Sequence, residues 1–341
     1  MLNTTSLPKR TLALLGSGHA LPQRHITSAE LDLSLGLQAG TVERVGGVHT
    51  RAFATAEESA ASLAALAAQR ALGAAGLSAT QLDCMVAASG TMDQGMPCNA
   101  ALIHRELGLA TTGIPAFDIN ASCLGFIAAL DQLSWPLAAG HYQRVLLVCA
   151  DIASCGLDWQ QLECAAIFGD GAAAVVLGPS GSGQDIRILA SKLRTYSEGA
   201  AFCQIPAGGS RHHPSRVGEA FLPLTQFAMQ GKAVYRLAST HLPEFLEELL
   251  AEAQLSREQI DWVIPHQASR LAMDHLSRRL GFASQKVVDI FAEHGNQVAA
   301  SLPTALDIAR RDGRIQPGQR LLLLGTGAGL SLGGMLLELE G

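Results

Sequence analysis

The chain has 341 residues, of which 48% are hydrophobic, 16% charged and only 5% aromatic, with a formal net charge of −6. A chain of this length buries roughly 75% of its unfolded surface, and so apolar a composition excludes disorder. The acidic balance excludes a nucleic-acid-binding protein, which needs a strongly basic face.

Lys9 and Arg10 precede a short apolar run at residues 11–16, too short for a signal-peptide core with its cleavage site, and this run predicts the first β-strand. Nothing nears the ~20 uninterrupted apolar residues of a membrane span, so a cytoplasmic protein without membrane attachment is expected. Helical periodicity covers residues 57–75, 124–139, 229–253, 269–280 and 299–311. Short apolar strands are predicted at 11–16, 114–119, 145–150, 172–177, 287–290 and 321–324. This alternation predicts an α/β protein whose mixed sheets are covered on both faces. Residues 178–184, rich in Gly and Ser, read as a linker, and residues 199–218 as a long functional loop.

A repeat underlies this order. The heptad Leu77-Ser-Ala-Thr-Gln-Leu-Asp83 returns as Leu255-Ser-Arg-Glu-Gln-Ile-Asp261, 178 positions later (255 − 77). The strand opening Arg144-Val-Leu-Leu-Val returns as Arg320-Leu-Leu-Leu-Leu, 176 positions later (320 − 144). Two landmarks at nearly one offset predict a duplicated unit.

Seven cysteines, at 84, 98, 123, 149, 155, 164 and 203, form no CxxC pair. Their odd number and irregular spacing predict reduced thiols and no structural metal site. Cys123 stands out in Phe117-Asp-Ile-Asn-Ala-Ser-Cys-Leu-Gly-Phe126, between a strand and a small-residue helix. A thiol at a helix N-terminus feels the positive end of the macrodipole, which predicts a lowered pKa and a thiolate nucleophile. A buried structural cysteine is the plain alternative. His266, in Trp262-Val-Ile-Pro-His-Gln-Ala268, and Asn296, in His294-Gly-Asn296, each follow a predicted strand, where α/β proteins place their sites. Asn296 falls near the place of Cys123 in the repeat (296 − 123 = 173), which predicts two symmetry-related helix starts facing one crevice. As plain alternatives, His266 is a satisfied strand-end histidine and Asn296 a helix cap. Gly325-Thr-Gly-Ala-Gly-Leu-Ser331 lacks the following GK[ST] of a phosphate loop and leads into a strand, so its amides suit an oxyanion better than a nucleotide.

With Ile167-Phe-Gly-Asp-Gly-Ala172 and Arg310-Arg-Asp-Gly-Arg-Ile-Gln-Pro-Gly-Gln319 added, these strings resemble the ketoacyl-acyl-carrier-protein synthase III family of the thiolase superfamily over nearly the whole chain. The resemblance implies a thiolase fold (αβαβα) of two pseudo-symmetric halves with mixed five-stranded sheets. Residues 1–180 would carry the nucleophile, and residues 181–341 the His and Asn. It implies a homodimer, a catalytic set of Cys123, His266 and Asn296, and an oxyanion hole from the backbone N–H groups of Cys123 and Ala328. The implied reaction loads an acyl group on Cys123 and condenses it with a malonyl-type thioester as CO₂ leaves, in fatty-acid or polyketide-like synthesis. No cofactor is implied; acyl-coenzyme A and acyl-carrier-protein thioesters are the substrates, and acyl carrier protein is the partner. Arg44, Met96, Gly209, Ser269 and Leu330 are implied to bind substrate. Arg236, Arg278 and Arg279 match positions that dock the carrier, and Arg270 joins them as a docking residue through the basic cluster of the second half, a solvated helix face being the plain alternative.

The chain departs from the family at the donor site. A coenzyme-stacking Trp is Gly40, a second stacking Arg is Leu162, an Asn is Ser269, and the Phe that closes the acyl pocket across the dimer is Met96. These changes predict weak or altered coenzyme A binding and an acyl group larger than acetyl. A biosynthetic thiolase needs a second active cysteine near the C-terminus, and none follows Cys203. Acyl transfer to an alcohol or amine, joining of two acyl chains, and a non-catalytic partner subunit are the other readings. The intact Cys, His and Asn set argues against the last.

Overall fold

The computed structural model describes residues 10–341, so Lys9 lies outside the described residues. Nine strands are hydrogen-bonded into one sheet: β1 Arg10–Ala20, β2 Cys84–Ala87, β3 Ala116–Asp118, β4 Val145–Asp151, β5 Gly171–Pro179, β6 Gln184–Thr195, β7 Trp262–Pro265, β8 Arg320–Gly327 and β9 Ser331–Leu339. Their spatial order is β7-β8-β9-β6-β1-β5-β4-β2-β3. β2 runs parallel to β3 and β4, and β7 parallel to β8; the remaining pairs are antiparallel. The principal helices are α1 Ala60–Ala75, α2 Gly125–Ala138, α3 Gly231–Ala253, α4 Arg270–Arg278 and α5 Ser301–Arg311.

Apolar burial sorts these elements into five layers. α1 packs its alanine-rich face on Met85, Ala87, Leu146, Val148 and Val176 of the first sheet region. The opposite faces of those strands meet α2 and α5 (Phe126, Ile127, Leu130, Leu302, Leu306). The same two helices are covered on their far side by Ile264, Leu321, Leu323, Met335 and Leu337. α3 and α4 close the other outside through Phe245, Leu249, Met273 and Leu276 against Val263, Leu322, Leu324 and Leu336. The sequence of layers is helix, sheet, helix, sheet, helix, the αβαβα order expected, but in place of separate five-stranded sheets one nine-stranded sheet runs through both sheet layers.

Three expectations are corrected. Residues 178–184 are not a linker between separable sheets: they turn β5 into β6, and both strands then flank β1, which joins the two sheet regions edge to edge. Residues 287–290 form no strand, only an isolated bridge between Val263 and Val287. The Gln267 side chain occupies the ladder there, donating to the Val288 carbonyl (3.0 Å) and accepting from Ile290 N–H (3.0 Å). The helix expected from residue 57 starts at Ala60, because Ser59 and Ser62 cap one another reciprocally and Asp93 accepts the Ala60 and Ala61 N–H groups.

The repeated heptads make matching contacts. Ser78 N–H donates to Gln81 Oε1 (2.9 Å) and Ser256 N–H to Gln259 Oε1 (2.8 Å). Asp83 accepts Arg144 N–H (3.1 Å) as Asp261 accepts Arg320 N–H (2.8 Å), so each heptad ends by fastening two parallel strands together.

Candidate active site

Within each parallel group, β2 with β3 and β4 and β7 with β8, the strands end together. β2 leads to the loop carrying Met96, β3 to Cys123, β4 ends at Asp151, β7 leads to His266 and β8 to Ala328. The carboxyl ends of parallel strands leave backbone unpaired at a crevice, the usual place for chemistry in α/β folds.

Cys123 lies in a single 3-10 turn, Ser122–Leu124, immediately before α2. Asn120 Oδ1 accepts Ser122 N–H (2.8 Å), and Ser122 takes a left-handed φ of 52°. Asn296 starts the same motif: its Oδ1 accepts Val298 N–H (2.8 Å), Val298 has φ 52°, and a 3-10 turn leads into α5. Asn296 therefore corresponds to Asn120, at an offset of 176 (296 − 120), and Cys123 corresponds to Ala299. The expected correspondence of Asn296 with Cys123 is corrected by three residues.

The two turns pack against one another. Asn296 Nδ2 donates to the Ala268 carbonyl (3.1 Å), two residues beyond His266. His266 is held by its own N–H on the Leu324 carbonyl (2.8 Å). Gly325 separates it from the cysteine's turn: a Cβ there would stand 2.9 Å from His266 Cβ and 3.0 Å from Leu124 Cδ2. Gly125 is required by the same crowding, since a Cβ on it would strike the Ala88 carbonyl oxygen. The chain thus packs the Cys123 turn, the Asn296 turn and the strand end at His266 together from three separate elements.

The electrostatics correct the expected thiolate. Burial, with contributions from Cys203 and Asp151, pushes the Cys123 thiol up to about 12, while the N–H groups of Ala328 and of Cys123 itself pull it down. The α-helix proper begins only at Gly125, and the desolvation of the charged form outweighs the dipole. His266 is 5% exposed, its Nδ1 is buried without a hydrogen-bond partner among the described residues, and burial lowers it to about 4. The resting site holds a neutral thiol beside a neutral imidazole.

The other implied residues divide. Leu330 is buried beside Cys123 in one apolar cluster and pairs through its backbone with Tyr196 (2.7 and 3.1 Å). Ser269 caps α4 by accepting Ala272 N–H (3.1 Å). Arg44 is exposed and donates to Thr41 (3.2 Å), Met96 is 85% exposed, and Gly209 lies in the open excursion after β6, away from packed side chains. Gly40 has a left-handed φ of 79°, and its N–H donates to Asp32 (2.7 Å). Leu162 joins an apolar cluster with Phe53 and Trp159. Arg270 is held by Asp274 (3.1 Å) and Asp289 (2.8 Å), and Arg278 lies 3.5 Å from Asp274. Arg236 and Arg279 are exposed and make no ion pair among the described residues.

Two residues of the site were not anticipated from sequence. Asp151, wholly buried at the end of β4, binds Gly90 and Thr91 on one side and the Asn296 turn on the other. Gln267, also wholly buried, anchors the segment behind His266. A carboxylate closing an apolar strand at the functional edge was the available signal for the first. Among the described residues no group of three or more His, Cys, Asp or Glu is placed to hold a metal, and no helix is long and apolar enough to cross a membrane.

Residues 117–197 match the 3-oxoacyl-[acyl-carrier-protein] synthase III family profile and residues 250–339 match its C-terminal domain. A beta-ketoacyl-[acyl-carrier-protein] synthase III from Rhizorhabdus wittichii is 34% identical over 324 residues, covering 95% of this chain and 98% of that protein. The crystal structure of 3-oxoacyl-(acyl carrier protein) synthase III, FabH, from Pseudomonas aeruginosa PAO1 superposes with a TM-score of 0.85 at 30% identity, covering 97% of this chain and 99% of that one. Xanthomonas campestris OleA shares the fold at 22% identity, with a TM-score of 0.83 over 96% of this chain and 98% of that one. Fold and relatives together define a condensing acyltransferase of the thiolase class. Within that class the chain belongs to the 3-oxoacyl-[acyl-carrier-protein] synthase III family.

Proposed function

We propose that the chain condenses an acyl group carried on Cys123 with a malonyl-type thioester borne by acyl carrier protein, releasing CO₂. The convergence of the Cys123 turn, His266 and the Asn296 turn around Gly325 and Ala268 carries this reading. In the first stage the sulfur attacks the donor thioester as its proton leaves, and the departing thiol carries a proton away. The N–H groups of Cys123 and Ala328 favour negative charge at the sulfur and suit the tetrahedral oxyanion. In the second stage His266, neutral and so a hydrogen-bond donor through one ring nitrogen, and Asn296 donate to the malonyl thioester oxygen. They hold the enolate charge as CO₂ departs; the carbanion then attacks the acyl carbon, the C–C bond forms as the C–S bond to Cys123 breaks, and the freed thiolate takes up a proton. Neutral His266 fits this donor role because burial keeps it unprotonated.

The finer assignments form one set. Residues 1–180 and 181–341 are two related halves, supported by the matched heptads and turns. The protein is a cytoplasmic homodimer that needs no cofactor. The free sheet edge at β3 exposes Phe117 beside the loop bearing Met92 and Met96, an apolar margin suited to a second copy. Arg44, Met96, Gly209, Ser269 and Leu330 border the substrate path, Ser269 by fixing the start of α4 behind His266. Carrier docking falls mainly to Arg236 and Arg279, because Arg270 and Arg278 face Asp274. With Gly40 and Leu162 at the donor face, the preferred donor is an acyl group longer than acetyl, delivered by a carrier or by a differently seated coenzyme A.

Intact-protein mass spectrometry of wild type and Cys123→Ala against a panel of acyl thioesters tests the proposal. Wild type is expected to gain one acyl mass and the variant none, with CO₂ released when malonyl thioester follows. An adduct on Cys123→Ala, or none on wild type with any donor, overturns it. Loading without CO₂ release points instead to simple acyl transfer.

A further inference from the structure

Asp151 ends β4 fully buried, with no cation against it. Its Oδ1 accepts three donors, Gly90 N–H (2.8 Å), Thr91 N–H (2.6 Å) and the Thr91 hydroxyl (2.9 Å). Its Oδ2 accepts one, Ala300 N–H (3.2 Å). Gly90 and Thr91 open the loop that reaches Met96, while Ala300 closes the 3-10 turn that follows Asn296. A Cβ on Gly90 would stand 2.6 Å from Val298 Cγ1, 3.4 Å from the Ser122 carbonyl carbon and 3.5 Å from Asp151 Oδ1. The carboxylate, the cysteine's turn and the asparagine's turn therefore meet at one point. Both turns hold a residue at φ 52°, a conformation that persists only where the surroundings enforce it. Burying a carboxylate without a counter-ion is unfavourable for packing; burial indeed pushes Asp151 up to about 6 against its four donors. Such a group is retained for what it fixes.

We propose that Asp151 is a positioning residue that fastens the Asn296 turn to the Gly90-Thr91 loop against which the Cys123 turn packs, so that condensation depends on it more than acyl loading does. The proposal rests on the roles given above to Cys123 and Asn296. Its asymmetry is built into the donors. Asp151→Asn keeps an acceptor oxygen facing the three donors from Gly90 and Thr91, and turns an NH₂ group toward Ala300 N–H, donor against donor. Only the tie to the second half breaks.

Loading of Cys123 by an acyl thioester should therefore stay within about two-fold of wild type in Asp151→Asn, while condensation of the loaded enzyme falls about 10- to 100-fold. Hydrogen exchange followed by mass spectrometry reads the same tie without any catalysis. Residues 296–306 should exchange about tenfold faster in Asp151→Asn, and residues 122–138 at the wild-type rate. Equal losses of loading and condensation at an unchanged melting temperature, or unchanged exchange over 296–306, overturn the proposal. If wild type fails to load at all, the catalytic reading fails and the exchange result still decides the clamp. Should Asp151→Asn not reach the wild-type melting temperature, Thr91→Val removes a donor to Oδ1, and the acceptor of Ile152 N–H, while leaving the tie to Ala300 in place. The clamp then requires wild-type exchange over 296–306, and accelerated exchange there overturns it.

Discussion

The turns at Asn120 and Asn296 share one backbone and diverge in chemistry. Each begins with an asparagine whose carbonyl accepts the N–H two residues on, passes through φ 52°, and enters a central helix through a 3-10 step. One turn places a thiol at its fourth residue, Cys123; the other places Ala299 there, fully buried. The second turn uses its first residue instead, Asn296, whose amide reaches the Ala268 carbonyl beside His266. A single backbone solution, built twice, thus presents a thiol from one copy and a side-chain amide from the other. In the first turn the asparagine shapes the chain; in the second it also reaches the segment that follows His266.

The most direct way to break this comparison is Cys123→Ala, which makes the two turns alike. Acyl loading and condensation are expected to fall by ~10³ or more with an unchanged melting temperature; residual loading above that level would place the nucleophile elsewhere. Next come Asn296→Ala and Asn120→Ala, the same change at equivalent positions. Asn296→Ala should lower condensation ~10²–10³-fold, with loading of Cys123 largely kept. Asn120→Ala should cost about 1 kcal/mol of stability for its lost turn bond, seen in denaturant titration, and lower both stages modestly. Similar kinetic profiles for the two variants would erase the distinction.

The charge state of the first turn supplies a third test. With the thiol pushed up to about 12, the rate of Cys123 alkylation by iodoacetamide should climb about tenfold per pH unit from 7 to 10, without a plateau. A plateau near pH 7 would restore a resting thiolate. The sign in stability agrees: a thiol raised above its ordinary 9.0 favours the fold below that value, and the contribution fades as pH rises through about 12. The smallest expected effect lies at the surface. Arg279→Glu should raise the carrier-protein KM a few-fold at low salt and little at 0.5 M, where the screening length is ~4 Å. Arg270→Gln, its charge already met by Asp274 and Asp289, should act through α4 rather than through charge; an equal salt-sensitive loss would reassign the docking role.

Much of this was legible beforehand because it is local. The alanine and leucine spacing of α1, α2, α3 and α5 and the apolar runs of β1, β4, β5 and β8 each follow from the side chains of one segment. The recurrence of Leu-Ser-x-x-Gln-x-Asp is legible too, since each copy caps its own turn and then fastens the next strand. The loss of a strand at residues 287–290 was not legible: Gln267, more than twenty positions away, supplies the bonds a strand would have made.

The sequence alone determined most of the helices and strands, which cysteine stands at a strand-to-helix turn, and which histidine follows a strand. Tertiary structure alone decided the protonation of that cysteine and the identity of the residue equivalent to Asn296. It also decided that Asp151, an ordinary acid at a strand end, joins the two turns. The reason is physical: helix and strand preference is set within a few residues, whereas the pKa of a thiol and the partners of a buried carboxylate depend on everything folded around them.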